Sequence, residues 1–290
     1  MARIPLPALG GMSLNVEIWG SGPHILAIHG FTGCAATWRS FAAAAREEFS
    51  VICVEMLGHG ASDAPDRPER YCMTTTIMAL KNILDMLEIE RVHWLGYSMG
   101  GRIALGAALA LGERTASLTL ESASPGIPTR SERAARVRSD SGLADWTEKE
   151  GLDAFVRYWE ALPLWASQAR LPEAVRREIR SQRLANTAVG LANSLRGIGA
   201  GAQPSFHKQL AGLRMPTLFI AGLEDTKFVQ IARQMSLQVL HSRLCVVPGA
   251  GHTVHLEKPE LFNGEVLDFI RSTVSAPRAI RTVERSPQIR

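Results

Sequence analysis

Val92-His93-Trp94-Leu95-Gly96-Tyr97-Ser98-Met99-Gly100-Gly101-Arg102, continuing through small residues to Gly112, carries the strongest architectural signal in the chain. Val92 to Gly96 is a short apolar run with the make-up of a buried strand. Met99 to Gly112 has helical composition, with Gly112 placed to end it. Between them Ser98 sits in a glycine-flanked turn. Neighbours without a β-carbon let strand and helix pass closely around an exposed hydroxyl.

The same alternation extends in both directions. Leu14 to Trp19, His24 to His29, Val51 to Glu55, Leu118 to Glu121, Pro216 to Gly222 and Arg243 to Val247 are further strand-like segments separated by helical stretches. Repetition of this kind predicts an α/β fold: a mostly parallel central sheet with helices on both faces. From about 126 to 205 the strand pattern gives way to amphipathic helical segments, which reads as an inserted helical cap. The expected organisation is a core of residues 1–125 and 206–275, a cap over 126–205, and a solvated tail over 276–290 that is poor in apolar residues.

At 290 residues, with 46% hydrophobic and 21% charged side chains, the chain has a globular balance. No apolar run approaches the roughly 20 residues of a membrane span. No signal-peptide core can be drawn near the start, and a cytoplasmic protein with no membrane partner is expected. Cys34, Cys53, Cys72 and Cys245 are widely spaced, which suits a reducing compartment and argues against a metal site. Net charge is +4, yet both signs are interspersed, so a nucleic-acid partner is weakly supported. Only five of the 32 basic residues are lysine. Arginine is the side chain that grips carboxylates bidentately.

The turn at Ser98 matches the G-x-S-x-G nucleophile pattern between strand and helix. A serine hydroxyl needs an imidazole to accept its proton, and the imidazole needs a carboxylate to fix its tautomer. Asp225, following the strand-like segment Pro216 to Gly222, and His252, in the Gly249-Ala250-Gly251 turn after the last strand, occupy the expected order. Glu224 and Glu121 are the rival acids; His255, His59 and His29 are the rival bases. Ile28-His29-Gly30-Phe31-Thr32-Gly33 turns after a strand as an oxyanion loop should, so the N–H groups of Phe31 and Met99 are the expected oxyanion donors. Gly197-Ile198-Gly199-Ala200-Gly201 follows a helix and reads as a hinge. Leu57 to Asp63 reads as a polar loop without chemistry.

These residues together resemble the α/β-hydrolase superfamily over residues ~10 to 273. More narrowly, Gly96 to Arg102, Arg133-Ala134-Ala135-Arg136, Leu162-Pro163-Leu164-Trp165, Asn193-Ser194-Leu195-Arg196-Gly197, Asp225-Thr226-Lys227-Phe228 and Gly249 to His252 look like the 2-succinyl-6-hydroxy-2,4-cyclohexadiene-1-carboxylate synthases of menaquinone and phylloquinone biosynthesis. The resemblance implies a cofactor-independent elimination of pyruvate from 2-succinyl-5-enolpyruvyl-6-hydroxy-3-cyclohexene-1-carboxylate. It implies Ser98, Asp225 and His252 as the proton-transfer set, and a small polyanionic substrate held by Arg102, Arg136, Arg183 and Lys227, with Tyr97 and Trp159 lining the pocket. Phe206-His207 departs from the family pattern, where a tryptophan is expected. A serine hydrolase, esterase or carbon–carbon bond hydrolase, using the same triad is the competing reading. A monomer or small homo-oligomer is expected.

Overall fold

The computed structural model describes residues 2–6 and 10–274. Its centre is an eight-stranded sheet: β1 (Ala2–Leu6), β2 (Met12–Trp19), β3 (His24–Ile28), β4 (Ser50–Val54), β5 (Val92–Tyr97), β6 (Thr115–Glu121), β7 (Thr217–Gly222) and β8 (Ser242–Val247). The spatial order is β1-β2-β4-β3-β5-β6-β7-β8. β1 and β2 pair antiparallel and β2 runs antiparallel to β4, whereas every pairing from β4 through β8 is parallel. The sequence gives no hint of β1, a short edge strand that contains Pro5, a residue tolerated at a sheet edge. β6 starts three residues before the expected Leu118.

Helices α1 (Arg39–Ala45), α2 (Met73–Met86) and α3 (Met99–Ala110) connect the first strands. Helices α4 (Arg130–Glu150), α5 (Leu152–Glu160), α6 (Glu173–Leu184) and α7 (Ala188–Ile198) are inserted between β6 and β7. After β7 come α8 (Thr226–Ser236), then, beyond β8, α9 (Val254–Glu257) and α10 (Pro259–Val274). The tail expected from 276 lies outside the described residues.

Side-chain alternation along the strands produces two cores, one on each sheet face. Leu26, Ile28, Trp94, Leu118 and Leu120 pack with α2, α3 and α8. Ile25, Ala27, Leu95, Leu218 and Ile220 pack with α1 and α10. The inserted helices have two small clusters of their own, Ala144 with Ala192 and Leu195, and Phe155 with Val156 and Leu191. Phe31, from the loop after β3, packs against both of these and against the larger core. The glycines at 197–201 serve close packing rather than the expected hinge: a β-carbon at Gly197 would strike Pro68 O, and one at Gly201 would come within 2.6 Å of Val137 N.

Beneath the loop after β3, two buried histidines face each other with ring centroids 4.9 Å apart, His29 and His59. Burial pushes His59 down to about 3, with His29 adding to the shift. Its native ring therefore stays neutral while the unfolded chain protonates near pH 6.5, so stability is complete above that pH and declines as pH falls toward 3. Urea denaturation should show His59 costing about 2 kcal/mol between pH 7.5 and 5. A His59→Gln variant that kept the same slope would refute this origin.

Candidate active site

Ser98 links β5 to α3 with φ 51° and ψ −108°, a conformation that few non-glycine residues adopt. The turn closes because its neighbours lack side chains. A β-carbon on Gly96 would collide with Gly100 O, and one on Gly100 with Ile28 O. The Ser98 N–H donates to Glu121 O at 2.8 Å, which ties the elbow to the end of β6.

His252 approaches from the loop after β8, with its Nε2 3.1 Å from Ser98 Oγ and its Nδ1 2.6 Å from Asp225 Oδ2. A carboxylate can only accept, so Nδ1 carries the proton and Nε2 is left to accept from the serine hydroxyl. Asp225 has a second task as N-cap of α8, its Oδ1 accepting from Phe228 N–H at 3.3 Å. The rings of Phe228, Tyr97 and Trp165 lie 4.7, 5.5 and 5.6 Å from the His252 ring and bury it. Glu257 folds back under this loop, accepting from Gly251 N–H at 2.9 Å, Thr253 N–H at 3.2 Å and Thr253 Oγ1 at 2.8 Å.

The rival acids and bases are engaged elsewhere. Glu224 is exposed and pairs with Arg170 at 2.7 Å. Glu121 and His255 bond to each other. His29 donates from Nδ1 to Gly30 O at 2.8 Å and accepts Met56 N–H at Nε2, bracing the loop that carries Phe31. In that loop Thr32 also has positive φ, 70°. Met99 opens α3, where the first N–H groups have no intrahelical acceptor.

Ser98 and His252 open onto a cavity of about 610 Å³ between the sheet's C-terminal edge and the inserted helices. Such an edge is the usual ligand position in open α/β sheets. Phe31, Met99, Tyr97, Arg102, Arg136, Trp159 and Lys227 all line it. Arg102, one helical turn beyond Ser98, donates from one terminal nitrogen to Ile198 O at 2.9 Å and Gln203 Oε1 at 2.7 Å. Burial lowers its pKa to about 10, with Arg136 pushing the same way and Asp140 opposing. Arg136 donates through Nε to Asp140 at 2.7 Å. Lys227 is exposed at the rim, its Nζ 5.7 Å from the Phe228 ring centroid. Trp159 stacks on Phe155 at 5.6 Å as well as facing the cavity.

Arg183 does not join this set. It is buried behind Trp165, 5.2 Å from that ring, where it donates to Glu160 at 3.1 Å and lines a separate small cavity of about 40 Å³. A buried guanidinium requires a counter-charge, and Glu160 at the end of α5 supplies it. Two participants escape the sequence reading: buried Asp140, visible only as the i,i+4 partner of Arg136, and Gln203. His207, at the position that departs from the family pattern, also lines the main cavity.

Comparison with known proteins adds descent to this geometry. A family model for the alpha/beta hydrolase fold matches residues 23–259. A protein of Bacillus subtilis (strain 168), provisionally named 2-succinyl-6-hydroxy-2,4-cyclohexadiene-1-carboxylate synthase, is 43% identical over 86% of this chain and 90% of its own length. The synthase of that name from Shigella flexneri is 31% identical over 82% of this chain and 89% of its own. Among solved structures, MenH from S. aureus superposes with TM-score 0.86 and 31% identity, covering 89% of this chain and 98% of that one. Sequence relatives that span nearly the whole fold and share its architecture leave one placement: the chain belongs to the alpha/beta hydrolase fold family and, within it, to the 2-succinyl-6-hydroxy-2,4-cyclohexadiene-1-carboxylate synthases.

Proposed function

We propose that the protein is a carbon–oxygen lyase converting 2-succinyl-5-enolpyruvyl-6-hydroxy-3-cyclohexene-1-carboxylate to 2-succinyl-6-hydroxy-2,4-cyclohexadiene-1-carboxylate and pyruvate, in menaquinone or phylloquinone biosynthesis. The observation that carries this reading is a hydrogen-bonded Ser98–His252–Asp225 chain opening onto a cavity lined by Arg102, Arg136 and Lys227. A substrate with three carboxylates fits a cationic chamber better than a neutral ester does. A cytoplasmic setting belongs to the same proposal, in keeping with four free cysteines.

In this mechanism His252 accepts the Ser98 proton, and Asp225 stabilises the imidazolium that forms. Ser98 Oγ takes the ring proton at C2, which is acidified by the adjacent succinyl ketone. The electron pair moves into a C2–C3 double bond, the C3–C4 pair shifts to C4–C5, and the bond from C5 to the enolpyruvyl oxygen breaks. Pyruvate leaves as its enolate and takes up a proton. As C2 loses its proton, charge delocalises onto the succinyl ketone oxygen, toward which the Phe31 and Met99 N–H groups are assigned. Arg102, Arg136 and Lys227 are assigned to the carboxylates, with Tyr97 and Trp159 as walls; Arg183 acts on the cavity through Trp165 instead of touching substrate.

Ser98→Ala, His252→Ala and Asp225→Asn should each depress kcat by roughly 10³ to 10⁶, and the losses should not add, because the three groups act as one device. Retention of more than about a tenth of wild-type turnover by Ser98→Ala would remove the serine from the mechanism. Arg102→Ala should lower kcat/KM about 10- to 150-fold, the value of one charge-assisted contact, and Arg102→Lys should restore part of it. An activity loss no larger than the unfolded fraction seen in thermal melts would make Arg102 structural. In water enriched in heavy oxygen, the ring product should carry no label in its carboxylates, because elimination adds no water. A labelled ring-product carboxylate, or faster turnover of simple aryl esters, would identify a hydrolase.

A further inference from the structure

Beside the triad lies a second buried histidine–carboxylate pair that the mechanism above does not use. His255 Nδ1 lies 2.9 and 2.8 Å from the two oxygens of Glu121, and the His255 backbone N–H donates to Glu121 Oε1 at 3.1 Å. Glu121 is fully buried and His255 nearly so. Glu121 meets the nucleophile from its other end, since its backbone carbonyl accepts the Ser98 N–H at 2.8 Å. One residue therefore grips both the elbow and the loop three positions beyond His252. The backbone immediately after it is strained, with Ser122 at φ 47°. Strain of this kind persists only where surrounding contacts over-determine it, and it concentrates at functional sites.

We propose that Glu121 and His255 form a positioning pair that sets the spacing between Ser98 and His252. Stability alone is a poor reason for the pair, because well-packed apolar residues of similar volume usually serve a core at least as well as buried ionisable partners. The pair also supports Tyr97, whose ring centroid lies 4.7 Å from that of His255 and 5.5 Å from that of His252. Tyr97 in turn presses on the oxyanion loop, where a β-carbon at Gly30 would come within 2.5 Å of its Cε1. Glu121 thus reaches the nucleophile by its backbone, the segment that carries the base by its side chain through His255, and the oxyanion loop through one aromatic ring. Neither residue hydrogen-bonds to Ser98 Oγ or to the His252 ring, which separates positioning from catalysis.

The inference rests on Ser98 and His252 being the reacting pair, and its test includes a reaction that is independent of the physiological substrate. Phenylmethylsulfonyl fluoride reacts with an activated serine, forming a sulfur–oxygen bond as fluoride leaves and the hydroxyl proton passes to the histidine. Glu121→Ala should slow both kcat and this sulfonylation about 100-fold per folded molecule, the scale of an ångström's misplacement, with KM within about threefold. Glu121→Gln keeps an acceptor for the His255 N–H and should recover much of that loss; His255→Asn carries the test if Glu121→Ala does not fold. A folded Glu121→Ala or His255→Asn variant with kcat and sulfonylation within about twofold of wild type would overturn the proposal, as would a rise in KM alone. Loss of sulfonylation in an enzyme that releases no pyruvate would uphold the pair while sinking the elimination reading.

Discussion

Helix α3 lies against the ends of β3 and β5 because three residues around one strand-to-helix turn have no side chain. Gly96, Gly100 and Gly101 each face a backbone or side-chain atom at a distance that no β-carbon allows, and Ser98 accepts a positive φ between them. Everything else in the site is referenced to that contact. Met99 opens the helix immediately after Ser98, Arg102 appears one turn further on, and the loops after β7 and β8 need only reach a fixed point. Because the strained residue is held by its neighbours, its cost is borne by the packing of the whole parallel sheet.

Charge in the cavity is arranged around that fixed point in two tiers. Burial depresses the Arg102 pKa, the charge on Arg136 pushes the same way, and buried Asp140 offsets part of this. Behind the wall, Arg183 shares the Glu160 carboxylate with Arg180. The first tier lines the cavity directly, whereas the second lies behind Trp165, with the Arg183 guanidinium over its ring.

The central strands, the elbow, Asp225 and His252 were legible because each is a local pattern: an apolar run, a glycine turn, an acid or base just past a strand. β1 was not, since an edge strand of five residues has no burial period to display. Arg183 is legible as a cation of the inserted segment, but sequence alone cannot say whether it meets solvent, substrate or a carboxylate on another helix. Glu121 and His255 show the same limit. Each is plausible singly as an acid or a base, and only the fold, by closing 134 positions of sequence, reveals that they satisfy one another. His207 stood out in the sequence as a departure from the family pattern, and the fold gives it a place on the cavity wall.

Phe31 joins two things that are usually treated apart. Its backbone lies in the loop after β3 that His29 braces, while its ring is embedded among Phe155 and Trp159 of the inserted helix α5 at 6.0 and 5.3 Å. A rigid ring wedged in this way ties the loop after β3 to the inserted helix α5. Close-packed interiors transmit strain, so a change of shape at Phe155 or Trp159 is felt at the backbone of Phe31, and a change at Phe31 is felt along α5.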